Sequence, residues 1–291
     1  MPSIYKRVQV IINPASGKDE PILNTINTVF SGSDIKWDAQ ITHKFGDATR
    51  FAKEAAADGV DLVAGYGGDG TQLEVANGLV GSGVPMAILP GGTGNAMAFE
   101  LNVPRDLSQA VALIVNSDNR RAIDLGSVGD KVFMLRAYTG VQAEERASRE
   151  MKDKYGNFAY VAEGLNFVAK PPEAIYHATI DGEKIKGKGM LCYIFNAGAM
   201  GGIALPGIAD VDSSDGLLDL YLVTRELRSI KAVSHFVLTV GYKKAGIYHW
   251  QGREITLEAD PPQSVWLDGE EYGQTPVTAK VIPKALEVVV P

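Results

Sequence analysis

Cysteine is almost absent from this chain: Cys192 stands alone among 291 residues. One thiol cannot close an internal disulfide, so nothing calls for an oxidising compartment. Within the apolar run 190–195 it reads as a small buried hydrophobe rather than a nucleophile. Also missing is any apolar run approaching the roughly 20 residues that span a bilayer. Residues 1–10 contain no stretch resembling a signal peptide. Positive charge is in deficit: Lys and Arg number 28 against 35 Asp and Glu, a formal charge of −7. That balance argues against bulk binding of nucleic acid and gives no general attraction to anionic lipid headgroups. The four histidines, His43, His177, His235 and His249, lack metal-ligand spacing. No G-x-S-x-G supports hydrolase chemistry, and internal repeats and low-complexity segments are absent. The expectation is a cytoplasmic protein, which would have to visit the membrane from solution if its substrate were a lipid.

What is present is ordinary globular composition, with 45% hydrophobic and 22% charged residues. The length allows one large domain or two moderate ones. Over the first ~125 residues, short apolar strands alternate with helical segments, the pattern of a parallel α/β sheet. Strands are expected over residues 8–12, 62–64 and 86–89. A helix is expected over residues 47–58, with Asp47 as N-cap and Phe51, Ala52, Ala55 and Ala56 on one face. After Asp124 the texture becomes strand–turn–strand, over residues 132–138, 175–181, 190–195, 218–223, 254–258 and 264–267, with a helix over 228–241. The spacing predicts an α/β domain over 1–125 and a mostly antiparallel β-rich domain over 126–283. A tail, 284–291, is expected to pack back on the first domain.

Each of the three N-terminal strands runs into a glycine- or proline-containing loop, and ligands of open α/β sheets bind beyond the carboxyl ends of strands. The central loop is Gly65-Tyr66-Gly67-Gly68-Asp69-Gly70-Thr71. It formally satisfies G-x-G-x-x-G, but no acid occurs between Val75 and Phe99 to hold a ribose, so the dinucleotide reading is weak. Asp69 beside phosphate would repel it unless a cation intervened, which points to Mg²⁺. An ordinary Gly-Asp-Gly turn is the plain alternative. The first loop, Asn13-Pro14-Ala15-Ser16-Gly17-Lys18, lacks the spacing of a Walker A loop but offers N–H groups, a hydroxyl and a cation. The third, Pro90-Gly91-Gly92-Thr93-Gly94-Asn95, again opens a helical stretch, over 96–101.

These three loops, with Glu74 and Asn77-Gly78 after the second and Leu267-Asp268-Gly269-Glu270 near the end, resemble the diacylglycerol kinase and sphingosine kinase catalytic domain. The resemblance spans nearly the whole chain and is strongest to the small bacterial lipid kinases. It implies an NAD kinase- or phosphofructokinase-like α/β domain, a C-terminal β-sandwich domain, and Mg-ATP in the cleft between them. Asn13, Pro14, Ala15, Ser16, Gly17, Thr42, Gly67, Gly68, Asp69, Gly70, Thr71 and Thr93 would contact nucleotide. Asp69 would organise the Mg-ATP phosphates, and Glu270, with Asp268 beside it, matches the general-base position. Many diacylglycerol kinases have Asn-Asp where this chain has Asn95-Ala96. The Asn-Ala form looks more like sphingosine kinases, which leaves the acceptor lipid open. NAD kinases carry related elements, so a soluble acceptor is the alternative, and a catalytically silent nucleotide or lipid binder is a third reading. The implied partners are ATP and a lipid, with transient peripheral membrane contact and no nucleic acid. A homodimer stays open.

Asp-Gly-Glu also occurs at Asp181-Gly182-Glu183, and Asp-Gly between apolar runs is a hairpin signal in its own right. Glu183 therefore reads as a hairpin residue, whereas Glu270 sits in the family's context. Asp212-Ser213-Ser214-Asp215-Gly216-Leu217 resembles a structural Mg²⁺ site of the small bacterial lipid kinases, formed there by the side chain matching Asp215 and the carbonyls matching Asp212 and Leu217. A solvated turn is the alternative. The apolar stretch 158–169, after the charged run 144–154, reads as a core helix or a surface for acyl chains.

Overall fold

The computed structural model describes residues 3–16, 19–140, 173–200, 203–204, 211–224 and 246–291. Gly17, Lys18, the expected helix 228–241 and the stretch 144–169 lie outside the described residues. The chain divides into two compact units. One comprises Met1–Asp124, Ala199–Gly202 and Pro283–Pro291, the other Leu125–Gly198 and Ile203–Ile282.

The first unit alternates strand and helix: β1 (Arg7–Ile12), α1 (Ile22–Phe30), β2 (Lys36–Ile41), α2 (Asp47–Ala57), β3 (Leu62–Gly67), α3 (Asp69–Leu79), β4 (Met86–Pro90), α4 (Ala96–Glu100), α5 (Leu107–Asn116) and the first residues of β5 (Arg120–Val128), which belongs to the second unit from Leu125 on. β2, β1, β3 and β4 lie side by side in that order, every pairing parallel. β3 and β4 are buried along their whole length, as expected of central parallel strands covered on both faces. β3 continues three residues beyond its expected end, through Gly65 and Gly67, because the sheet ladder holds Gly65 opposite Ile11 and Gly67 opposite Pro90.

The start of α2 departs from expectation. Gly46, in the left-handed region at φ +88°, is the N-cap, and Asp47 is the first helical residue. Asp47 Oδ2 turns back to accept the N–H groups of His43 (3.0 Å) and Lys44 (3.1 Å). The N–H groups of Gly46 and Ala48 instead go to Glu74 Oε2 at 2.9 and 3.1 Å. A carboxylate from α3 thus caps α2, a long-range solution that local sequence does not advertise.

The second unit is antiparallel. Its strands are β6 (Lys131–Phe133), β7 (Arg136–Thr139), β8 (Ala174–Ile180), β9 (Glu183–Gly189), β10 (Leu191–Phe195), β12 (Ile203–Ala204), β13 (Leu218–Val223), β14 (Ile247–Gly252), β15 (Glu254–Asp260), β16 (Ser264–Leu267) and β17 (Glu270–Gln274). The two-residue β11 (Ala199–Met200) belongs to the first unit, and β18 (Val277–Val289) is divided between the units after Ile282. One sheet runs β14-β13-β10-β7-β16-β17, and the early residues of β18 pair with β15, which continues to β8 and β9. Phe133, Ile194, Leu220, Leu257 and Ala279 are among the side chains packed in the sandwich core. Each of the larger ones, such as Phe133, Ile194, Leu220 and Leu257, contributes about 1.5–3 kcal/mol through burial.

The segment expected as one strand over 132–138 is two, broken at Met134–Leu135. The break is held from the side: Asp268 takes the N–H groups of residues 134, 135 and 136, so these cannot serve a sheet ladder.

In the first unit, the final residues complete the sheet. Val288 pairs with Met86 in parallel register. Lys284 N–H donates to Asp124 Oδ1 at 2.7 Å, and Ser117 Oγ donates to the Val290 carbonyl at 2.8 Å. Leu286, Val288 and Val289 are buried.

Candidate functional site

Three loops leave the carboxyl ends of β1, β3 and β4, and hydrogen bonds tie them into one constellation. Asn13 is the first tie. Its N–H donates to the Tyr66 carbonyl (3.0 Å), its Oδ1 accepts from Ala15 N–H (3.0 Å), and its Nδ2 donates to Thr71 Oγ1 (2.9 Å). One side chain therefore shapes the first loop and joins it to α3.

The second tie is a close backbone approach. Gly91 N–H donates to the Gly67 carbonyl at 3.0 Å. A Cβ on Gly92 would stand 2.5 Å from Gly68 Cα, a distance no side chain tolerates. Glycine is therefore required where the second and third loops meet. Asn95, in the left-handed region at φ +49°, braces the third loop: its Oδ1 accepts from Gly92 N–H (2.9 Å) and its Nδ2 donates to Gly92 O (2.6 Å).

Asp69 stands at this junction. It is the first residue of α3, after the cap position Gly68, and its Oδ1 accepts from Met97 N–H at 3.2 Å. A Cβ on Gly94 would lie 3.1 Å from Asp69 Oδ2, so the third loop wraps closely around the carboxylate. The first N–H groups of α3 have no acceptor within the helix and carry the positive end of its dipole. Gln72 fixes the turn from inside, donating to the carbonyls of Gly65 (2.9 Å) and Gly67 (3.2 Å). Thr71 is buried beneath, and Gly70 and Thr93 are exposed.

Thr42 follows β2, its N–H bonded to the Ile12 carbonyl at 2.9 Å, which puts it beside the end of β1. Pro14 and Ala15 are exposed and Ser16 half-buried. An apolar groove of about 350 Å³ adjoins the first loop, lined by Ile12, Pro14, Pro21, Ile22, Leu23 and Ile41. Tyr66 passes under the third loop and donates its hydroxyl to Glu20 at 2.7 Å; burial and that acid push its pKa up.

In the second unit, Asp268 and Gly269 form a two-residue turn at φ +48° and +96° between β16 and β17. This is the geometry favoured in tight hairpins. Glu270 is the exposed first residue of β17 and pairs with Leu267. Asp268 accepts from Met134 N–H (2.6 Å), Leu135 N–H (3.1 Å) and Arg136 N–H (2.8 Å), and returns its own N–H to the Arg136 carbonyl (3.0 Å). Burial pushes its carboxyl up to about 6, against the lowering effect of those donors and of Arg136.

The 212–217 turn holds itself together. Asp212 Oδ1 accepts from Ser214 N–H (3.0 Å) and Asp215 Oδ1 from Leu217 N–H (2.9 Å), with Gly216 at φ +77°. Among the described residues no three His, Cys, Asp or Glu side chains converge on a metal-sized space. Any ion at this turn would rest mainly on carbonyl oxygens. Cys192 is buried in the sandwich, and burial drives its thiol pKa far upward, which keeps it inert.

No local signal in the sequence marks Gln72, Glu74 as a cap, or the pair in which His249 Nε2 lies 2.5 Å from buried Asp219 Oδ1. Glu74 lay in the quoted motif, but its acceptor role depends on a helix brought in from residues 46–48.

Two family models match in tandem. The diacylglycerol kinase catalytic domain covers residues 7–128, and the YegS C-terminal NAD kinase beta sandwich-like domain covers residues 136–290. A Staphylococcus haemolyticus protein named "Putative lipid kinase" is 29% identical, over 86% of this chain and 84% of its own length. An uncharacterised protein of Synechocystis is 28% identical over 98% of this chain and 70% of its own. A Bacillus anthracis crystal structure titled as that of a "putative diacylglycerol kinase" superposes with a TM-score of 0.83 at 26% identity, covering 99% of this chain and 97% of the other. Among the described residues no helix is long and apolar enough to cross a membrane. With a diacylglycerol kinase-like catalytic domain followed by an antiparallel β-sandwich, the chain belongs to the small bacterial lipid-kinase family.

Proposed function

We propose that the protein transfers the γ-phosphoryl group of Mg-ATP to the hydroxyl of a membrane lipid, diacylglycerol or a related sphingoid base. The observation that carries this reading is the Asp69 junction, where the third loop and α4 close on one carboxylate at the N-terminus of α3 and the first loop is tied to Thr71 two residues on. Phosphates suit glycine-lined backbone and helix N-termini. A carboxylate among them suits a magnesium ion between acid and phosphate.

The donor set fits that assignment. Asp69 keeps Oδ2 on the side facing Gly94, and Thr93 and Gly70 present exposed groups around it. Bound Mg-ATP supplies the phosphoryl group and the cation that offsets its charge. Asn13, Thr71 and the Gly67–Gly70 backbone hold the phosphates, and Thr42 and Ser16 contact the nucleotide. Glu270 accepts the proton of the lipid hydroxyl as it attacks. Asp268, its carboxylate engaged by three backbone N–H groups, acts by positioning the turn that presents Glu270.

The test is a panel of lipid acceptors with labelled ATP, run on the parent and on Asp69→Asn. Lipid-dependent incorporation that Asp69→Asn abolishes supports the reading; full activity in the variant refutes it. A soluble acceptor is the second reading, favoured by the description of the matched C-terminal domain as NAD kinase beta sandwich-like. NADP formation without lipid would decide for it.

A further inference from the structure

β3 sets a large side chain between two glycines. Gly65 and Gly67 lie so close to α3 that a Cβ would stand 2.8 Å from Gln72 Oε1 at the first and 2.5 Å from Thr71 Oγ1 at the second. Tyr66, between them, turns to the opposite face of the sheet, because successive strand residues alternate sides. It is 1% exposed. For packing alone a phenylalanine would serve. A buried hydroxyl costs free energy unless it is hydrogen-bonded, so the phenol calls for a partner.

That partner is Glu20, whose Oε1 accepts from the hydroxyl at 2.7 Å. Glu20 immediately precedes Pro21, the N-cap of α1, where an acid could serve the helix terminus. Its carboxylate bonds to β3 instead, and Pro21 leaves α1 without a side-chain cap.

The backbone of the same tyrosine holds the other end of the first loop: Asn13 N–H donates to the Tyr66 carbonyl at 3.0 Å. Asn13, where the chain leaves β1, and Glu20, where it approaches α1, are thus fastened to one residue. The ring also lies under the third loop, where a Cβ on Gly91 would meet its Cζ at 2.7 Å. Tyr66 therefore touches the first and third loops while its own strand runs into the second. Burial and Glu20 push its pKa up, so the hydroxyl stays a donor at ordinary pH.

We propose that Tyr66 is a positioning residue for the nucleotide: it clamps the first loop at both ends and fixes that loop against the third before any ligand binds. This role presupposes the kinase reading above. Without the hydroxyl, half-buried Glu20 is free to turn into water. The far end of the first loop then gains conformations that nucleotide binding must remove. The Asn13 bond is to backbone and the Gly91 contact is to the ring, so Tyr66→Phe keeps both and opens the clamp at one end.

The experiment is calorimetric titration of the full chain with Mg-ATP in the absence of lipid, followed by steady-state kinetics with the lipid acceptor. Tyr66→Phe and Glu20→Ala should each weaken Mg-ATP binding about three- to tenfold. Each should raise KM for ATP to match, with far smaller changes in kcat and melting temperature. The double variant should bind no more weakly than either single one, since both remove the same bond. Glu20→Gln, whose amide oxygen still accepts from the phenol, should restore most of the affinity.

Losses that multiply in the double variant overturn the proposal. So does a loss that Glu20→Gln shares in full, because the charge of Glu20 and not the bond would then matter. A melting temperature that falls in step with affinity gives Tyr66 a role in stability alone and overturns it as well. A parent that binds no Mg-ATP refutes the kinase reading and the clamp with it, whereas a parent that binds no better than Tyr66→Phe refutes the clamp only.

Discussion

The side-chain amide of Asn13 donates to the hydroxyl of Thr71 at 2.9 Å, linking the loop after β1 to the first turn of α3. Two loops proposed to share one nucleotide are thus held in register before any ligand arrives. Asn13→Ala removes this bond and the one to Ala15 N–H. The variant should lose about 1–2 kcal/mol of stability and show a raised KM for ATP with a smaller change in kcat. Urea unfolding and steady-state kinetics read the two effects, and a variant unchanged in both would remove Asn13 from the nucleotide assignment.

Asp69→Asn is nearly isosteric, and the amide oxygen can still accept from Met97 N–H. Stability should therefore change little, while lipid phosphorylation should fall by roughly 10²–10³. If the melting temperature collapses along with activity, the acid is structural and its magnesium role loses support.

Glu270 and Glu183 make a matched pair, since each is the first strand residue after an Asp-Gly hairpin turn. Glu270→Gln should lower kcat by about 10²–10⁴ and leave folding intact, whereas Glu183→Gln should retain parental turnover. Equal behaviour of the two variants would show that the hairpin, not the carboxylate, is what matters.

Asp268 and Asp181 use the same clasp with opposite results. Asp181 takes the N–H groups of Arg253 and Glu254, and those bonds hold its carboxyl below the usual range. Asp268 takes three N–H groups, yet burial raises it to about 6. A folded-state pKa raised above the unfolded 3.8 means the folded chain binds the proton more tightly between those values. The stabilisation this provides is full below about 4 and is lost as pH rises to about 6. Asp268→Asn should therefore show a flatter stability profile from pH 4 to 6 than the parent, and lower stability above pH 6 because an amide N–H would face a backbone N–H. Urea melts at a series of pH values test this; parallel profiles would contradict it.

The candidate loops were legible because three of them, one carrying an acid, follow strands in the order and spacing of a known family, although each alone could have been an ordinary turn. The partners of those residues were much less so. Asp47 looked like an N-cap because capping is read from local order, whereas Glu74 reaches in from another helix. The strand expected over 132–138 is apolar but for Arg136, and the break in it is made by Asp268, more than 130 residues away. β17, with Glu270, Glu271, Tyr272 and Gly273, has no apolar alternation and is mostly exposed, so it gave no strand signal. β2 is an edge strand of the first unit's sheet with little burial, and was equally silent.

The last residues of the chain supply a strand, a ring of hydrogen bonds and three buried aliphatic side chains to the unit that begins at the other terminus. Because Val288 pairs with Met86 across all the intervening chain, the sheet that carries the candidate loops closes by a contact of high sequence separation, and its flank beside Met86 stays open until residues 283–291 have been made and have docked, a stage at which chaperones are its natural company.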